Sequence, residues 1–355
     1  MIRSVSRYGK SFQKLFAHKR QMFEDNDKML INAERLMALY QLQPPRSNCK
    51  ICDLSIDGLS AKICHGKSKI EYTQCTHCGH LNGLHQDTNL YMNTIYREAG
   101  GEAYGQNYKP MAQSDFDSRV NDIYLPKAQF LIEIAPMIKD SGVFLDIGCG
   151  TGHFASALLS MGLKSVIGVD VSSTQISIAR ELVAGANFSV VEPDDIGDFI
   201  GLIQPRFVSL VGVLEHLQDP AKILDQIRNC KSVEVVFLSV PMYSLTVLIE
   251  AAFVNVFPRQ LSGGHTHLFT QQSLDYASQE ILNFDIAGDW WFGTDAIDLY
   301  RALLVNLGQS QPFAQLELKR LMGSVLDELQ LVFDQAKLCS EVHRVLTRRL
   351  SPAVE

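Results

Sequence analysis

Positive charge is in deficit in this chain of 355 residues: 32 Lys and Arg face 39 Asp and Glu, a net charge of −7. Nucleic-acid binding usually needs a basic face, so this balance argues against nucleic acid as the main partner. Long apolar runs are missing too. The longest apolar region, 233–257, is interrupted by Glu234, Pro241 and Glu250. It reads as a buried strand, a turn and an apolar helix, with no membrane span. The N-terminal stretch has scattered basic residues but no signal-peptide apolar core and no small-residue cleavage site. The expected location is therefore cytoplasmic. In that compartment the eight cysteines point to thiols or a metal before disulfides. No internal repeat or low-complexity tract breaks the chain. An apolar content of 46% and a charged content of 20% fit a globular protein, one large domain with attachments.

What is present is organised around Val143-Phe-Leu-Asp-Ile-Gly-Cys-Gly-Thr-Gly-His-Phe154. The apolar run up to Ile147 has strand length. Gly148, Gly150 and Gly152 follow at every second position, and then a helical pattern begins. Glycine belongs where φ is positive or where a ligand touches the backbone. The dinucleotide fingerprint G-x-G-x-x-G would need glycine where His153 stands. The acid before the turn, Asp146, suits a cationic ligand better than a pyrophosphate.

Four more strand-like segments follow in order. Val166–Asp170 ends in an acid about 20 residues past the turn, the position from which a carboxylate reaches ribose hydroxyls. Phe188–Val191 leads into Glu192-Pro-Asp-Asp195. Phe207–Val211 leads into Val213-Leu-Glu-His-Leu-Gln-Asp-Pro220. Val235–Pro241 is the fifth.

This series resembles the class I S-adenosylmethionine (SAM) methyltransferases. The resemblance implies an α/β fold, a doubly wound Rossmann-like sheet of seven strands. It implies SAM as cofactor, with Asp146 toward the methionine head, Asp170 on the ribose and Asp194 on the adenine amino group, and with Gly148, Gly150, Gly152, Val171, Asp195 and Val213 as further cofactor-binding residues. The Glu-His-Leu-x-Asp-Pro ending is common in small-molecule members. Where the family often opens the fourth strand with an acid, this chain has Arg206-Phe207-Val208.

Ahead of this domain stand Cys49-Lys-Ile-Cys52 and Cys75-Thr-His-Cys78, two C-x2-C pairs. Their spacing resembles a zinc ribbon, with Cys49, Cys52, Cys75 and Cys78 closing a tetrahedral shell around a structural Zn2+. Cys64, His65, His77 and His80 are spare candidates. Some sugar methyltransferases of natural-product pathways carry a similar module ahead of the SAM domain.

The expected organisation is a helical segment at 1–45, the ribbon at 46–84, a tyrosine-rich linker or lid at 85–125, the SAM domain at 126–294 and a helical extension at 295–355. In the last, Leu318, Leu321, Val325, Leu329, Val332, Ala336, Val342 and Val345 read as one helical stripe. The terminal helices pack on the core or on a second copy in a homodimer.

Methyl transfer needs a base when the acceptor starts protonated. Histidine has a suitable ordinary pKa. His216 follows the fourth strand at the carboxyl edge of the sheet, and His265 and His267 lie in a later loop on the same expected side. Each also has a plain structural reading, as does the substrate-stacking role open to Trp290 and Trp291. The leading function is methylation of a small polar acceptor, a nucleotide-linked or activated sugar. The alternative is a macromolecule methyltransferase or binding module that reads RNA or protein through the ribbon.

Overall fold

The computed structural model describes residues 4–11, 25–59, 63–65, 70–96, 112–308 and 310–349. Its strands in chain order are β1 (Val5–Tyr8), β2 (Ile63–His65), β3 (Ile70–Gln74), β4 (Leu81–Gly83), β5 (Phe144–Ile147), β6 (Val166–Asp170), β7 (Asn187–Val190), β8 (Phe207–Val211), β9 (Val235–Pro241), β10 (His267–Leu268), β11 (Phe284–Phe292) and β12 (Glu341–Arg348).

The main sheet runs β1-β11-β12-β9-β8-β5-β6-β7. From β9 to β7 all neighbours are parallel. β12 enters antiparallel between β9 and β11. The central strands are buried on both faces: every residue of β5 and of β9 is buried, as expected of strands covered by helices on both sides. β8 sits between β5 and β9, so the chain reverses direction across the sheet at β5. Ligands bind outside the carboxyl ends of the strands at such a switch point.

Two sequence expectations are corrected here. The sheet has eight strands rather than seven, because Val5–Tyr8 is a strand within the segment read as helical. It pairs in parallel with Gly288–Trp291. The helix of this region is Asn26–Gln41, which buries Ala33, Leu36, Met37 and Tyr40. Glu341–Arg348, read as the end of a helical stripe, is β12, so the sheet draws on residues beyond the 126–294 boundary. The misreading has a physical cause. His343 and Arg344 interrupt the apolar run, yet both are buried. Arg344 is held by a forked pair with Asp289, Nε to Oδ1 at 2.8 Å and Nη2 to Oδ2 at 2.9 Å. Helices do fill 295–307, 312–322 and 326–335.

The smaller sheet runs β10-β4-β3-β2, all antiparallel. β2 to β4 belong to the cysteine module, whereas β10 belongs to the loop after β9. The two units therefore share a sheet. They also share a core, in which Tyr40, Tyr72, Leu81 and Tyr91 pack with Val247, Leu261 and Leu268.

Candidate functional site

The glycine turn leaves β5 and enters the helix His153–Ser160. Gly148 has φ +69°, and a Cβ there would stand 2.4 Å from Val213 Cγ2. Only glycine lets the turn and the loop after β8 approach this closely. His153 is sandwiched between Phe116 and Tyr124, at ring separations of 4.4 and 5.1 Å.

Asp170 ends β6 and ties the turn down. Its Oδ2 accepts from the Gly150 N–H at 3.0 Å and its Oδ1 from the Ser172 N–H at 2.9 Å. Burial raises its pKa, and these N–H groups partly offset the rise.

A cavity of about 570 Å³ opens at the carboxyl ends of β5, β6 and β8. Gly148, Gly150, Asp170, Val171, Asp194, Val213 and His216 all line it. Three predicted cofactor residues do not. Asp146 is 2% exposed and accepts from Ser209 Oγ at 2.6 Å, inside the sheet. Burial pushes its carboxyl up to about 7. Gly152 packs beneath the turn, where a Cβ would meet Phe188 and Val183 at 3.0 and 3.1 Å. Asp195 is exposed at the start of the helix Ile196–Ile203. The wall of the cavity also includes Lys222, whose Nζ lies 2.9 Å from Asp194 Oδ1.

The Glu-His-Leu-x-Asp-Pro stretch builds the opposite wall. Asp219 caps the helix Pro220–Asn229 by accepting from the Lys222 N–H at 2.9 Å, and Pro220 occupies its first turn. His216 donates from Nδ1 to the Gly264 carbonyl at 2.9 Å, which leaves Nε2 as the acceptor nitrogen. That Nε2 lies 3.9 Å from Glu215 Oε1. His265 donates from Nδ1 to the Gln260 carbonyl at 3.1 Å, and its ring centroid is 4.8 Å from that of His216. Burial pushes Glu215 up to about 8 and His216 down to about 4, so both are neutral at neutral pH. Glu215 was passed over in the sequence as part of a loop motif, although it stands beside His216 in the same hexapeptide.

His267 is not at the cavity. It is fully buried in β10, its Nδ1 is 2.8 Å from His80 Nε2, and His80 Nδ1 is 3.2 Å from Ser273 Oγ. This is a hydrogen-bonded seam between the cysteine module and the main domain. Trp290 and Trp291 are core residues of β11 and do not line the cavity. Trp290 donates from Nε1 to the Gly9 carbonyl at 2.9 Å and carries Arg7 over its face.

The tyrosine-rich segment is described only in part. Asn89, Met92, Asn93 and Tyr96 of the helix Asn89–Tyr96 line the cavity, and the Tyr96 ring meets that of His216 at 5.9 Å. Tyr104 and Tyr108 lie outside the described residues.

Cys49, Cys52, Cys75 and Cys78 converge. Their sulfurs lie within 4.8 Å of one another, with Cys49–Cys78 and Cys52–Cys75 at 3.6 Å. A tetrahedral Zn–thiolate shell puts sulfurs about 3.8 Å apart, so the four fit a cation. Burial and the neighbouring Cys49 push the Cys52 thiol up to about 11, a cost that a bound cation would remove. Side chains of the spare candidates Cys64 and His65 are outside the described set. The first knuckle reaches the cavity wall through Lys50, whose Nζ donates to the Leu217 carbonyl at 2.6 Å and pairs with Asp87.

Comparison with known proteins agrees with this geometry. Residues 121–284 match a family described as "Methyltransferase domain". No curated protein matches the chain. Similar solved structures include the plantazolicin methyltransferase BpumL with SAH, at 15% identity and TM-score 0.45 over 73% of this chain and 94% of that one. Magnesium protoporphyrin IX methyltransferase from Synechocystis PCC 6803, also with SAH, is 13% identical at TM-score 0.46 over 74% and 100%. A SAM-dependent methyltransferase from Archaeoglobus fulgidus is 17% identical at TM-score 0.41 over 67% and 100%. The family match spans the glycine turn, the strands β5 to β9 and the loop carrying His216, so residues 121–284 carry a methyltransferase domain.

Proposed function

We propose that this protein methylates a small polar acceptor, with a nucleotide-linked or activated sugar as the leading class. The observation that carries the reading is the two-ended cavity. Gly148, Gly150, Asp170 and Val171 form one end, and Asn89, Asn93, His216 and Gln218 form the other. A volume of about 570 Å³ is in the range of small-ligand sites. The amide side chains at the second end suit hydroxyl groups, which both donate and accept.

SAM brings a methyl group on a sulfonium that is already a good leaving group. The chain's own residues position and enclose the reactants. Asp170 takes the ribose, Asp194 and Val213 border the adenine, and the turn glycines let the methionine moiety approach the backbone. The helix Asn89–Tyr96 covers the acceptor end as a lid. A protonated acceptor loses its proton beside His216 Nε2, with Glu215 and His265 around it. His267 has no part in this step.

Zn2+ in the four-thiolate cluster holds the ribbon and, through Lys50, the loop carrying His216. The seven described cysteines form no disulfide. Among the described residues no helix is long and apolar enough to cross a membrane. The helix Pro312–Met322 buries none of its residues and exposes Phe313, Leu316 and Leu321, which supports a homodimer contact.

The test is calorimetric and chemical. SAM and SAH should bind the wild-type chain, and Asp170→Ala should lose about 1.5–3 kcal/mol of that binding. Incubation with SAM and nucleotide-sugar pools should then yield a product heavier by one methyl. Absence of SAM binding by the wild type would sink the reading. Methylation found only on RNA or protein would overturn the acceptor class.

A further inference from the structure

We propose that Glu215, His216 and His265 form a second metal site, separate from the four thiolates, which takes a divalent cation at the acceptor end of the cavity. The inference rests on the reading of that cavity as a methyl-transfer site.

Three donor atoms, one from each residue, lie within 4.8 Å of one another. Glu215 is 4% exposed, and its Oε2 has no hydrogen-bond partner among the described residues. A buried carboxyl oxygen left without a partner is costly, and it marks a place where a cation or a tightly held group belongs. Lys127, whose Nζ lies 3.7 Å from Glu341, acts on Glu215 only through space.

The two histidines are already oriented as ligands. Each gives its Nδ1–H to a backbone carbonyl, Gly264 for His216 and Gln260 for His265. That arrangement fixes the tautomer with Nε2 as the lone-pair nitrogen, as metal-ligating histidines commonly do. The carbonyl of Gln260 is itself held in place. The buried Glu250 accepts from the N–H groups of Arg259, Gln260 and Leu261 at 2.6, 2.9 and 2.9 Å. The ligand loop is thus supported from behind by a carboxylate that takes no part in the site.

Two imidazoles and one carboxylate suit Zn2+, Co2+ or Mn2+ and leave coordination positions open. Bonds of about 2.1 Å would bring the donors to about 3.4 Å apart. Glu215 Oε1 and His216 Nε2, at 3.9 Å, are already close to that separation. Of the three residues, His216 lines the cavity, so the open positions face the acceptor. An acceptor hydroxyl or carboxyl oxygen is the ligand chemistry those positions would take. With a cation bound, Nε2 of His216 is a ligand, and the acidity of the bound hydroxyl is set by the cation.

The test uses the full chain purified with zinc in the thiolate cluster, and Co2+ alone as the probe. The wild type should retain its thiolate zinc and take up one further equivalent of Co2+. The visible spectrum of that equivalent should lack thiolate charge-transfer bands. Glu215→Gln and His265→Ala should each weaken Co2+ binding by at least about tenfold. Both should keep the thiolate zinc and SAM affinity, which also reports that they fold. If the wild type binds SAM but takes up no second equivalent, the metal site is refuted and the transferase reading stands. Co2+ uptake that survives in both variants also refutes it. A wild type that binds Co2+ in this way but not SAM would support the site and remove the transferase reading on which its acceptor role rests.

Discussion

Lys50→Met tests how the cysteine module communicates with the cavity. The Lys50 side chain is 1% exposed and that of Asp87 is 2% exposed. They pair in the dark behind the first knuckle, and Lys50 also donates to the Leu217 carbonyl, one residue beyond His216. Burial lowers the Lys50 pKa to about 8, with Asp87 opposing the shift, so the ammonium survives because of its partner. Removing one member of a buried pair costs about 3–5 kcal/mol, because the other charge is left uncompensated. Arg46 Nη2 remains 3.4 Å from Asp87 Oδ1, near enough to soften the loss. The lower end, about 3 kcal/mol, is therefore expected in urea unfolding. The effect should also be local. Native-state hydrogen exchange should show lost protection at 48–56 and 214–219, while β5, β6 and the glycine turn stay protected. A destabilisation below about 1 kcal/mol, or a loss of protection spread evenly over the sheet, would refute the coupling.

The remaining predictions concern the SAM end. Asp146 has a folded pKa of about 7 against an ordinary 3.8, so between these values the folded chain keeps a proton that the unfolded chain has released. Stability must fall as pH rises through that window, by at most about 4 kcal/mol above it. Asp146→Asn removes this term and keeps an acceptor for Ser209. Its advantage in melting temperature over the wild type should grow from about pH 4 to about pH 8, and a pH-independent difference would disprove the argument. Gly148→Ala sets a Cβ 2.4 Å from Val213 at a φ that alanine rarely adopts. SAM affinity should drop more than about tenfold as the turn and the loop after β8 separate. Calorimetry showing unchanged affinity would mean that the turn does not need its glycine.

The sequence made the ligand-binding half of the sheet legible because its signals are local. A buried parallel strand is a short apolar run, and β5, β6, β8 and β9 each show one. A glycine turn with an acid after the next strand is also local, as are two C-x2-C pairs. The missed parts depend on distant partners. β1 is four residues, Val-Ser-Arg-Tyr, whose only reason to be a strand is the edge of β11. β12 contains two buried polar residues that make sense only beside Asp289 and the aromatic ring of Phe292. An extended chain would put both histidines of an H-x-H pair on one face, but here His265 closes the Ser262–His265 turn and a bend at Thr266 separates it from β10. His265 therefore turns toward His216 while His267, two residues on, is buried against His80. Spacing grouped them, and the pairing of β10 with β4 separated them.

The arrangement of the cysteine module bears on what it is for. A ribbon that reads RNA or protein needs a free recognition face. Here β4 spends its edge on β10, with Asn82 opposite His267 and Leu81 opposite Leu268. The knuckle residue Lys50 is consumed by Asp87 and Leu217, and Gln218 donates to Asn89 Oδ1 at 3.0 Å from the other side of the same seam. Tyr91 donates to the Gly263 carbonyl in the loop that carries His265, and Tyr72 to the carbonyl of His265 itself at 3.3 Å. The faces of the module that carry these contacts point inward, onto the two loops that hold His216 and His265. Its contacts are those of a brace for the acceptor end. On this geometry, loss of the thiolate metal should first disturb the positions of those two histidines, and only later the SAM end of the cavity.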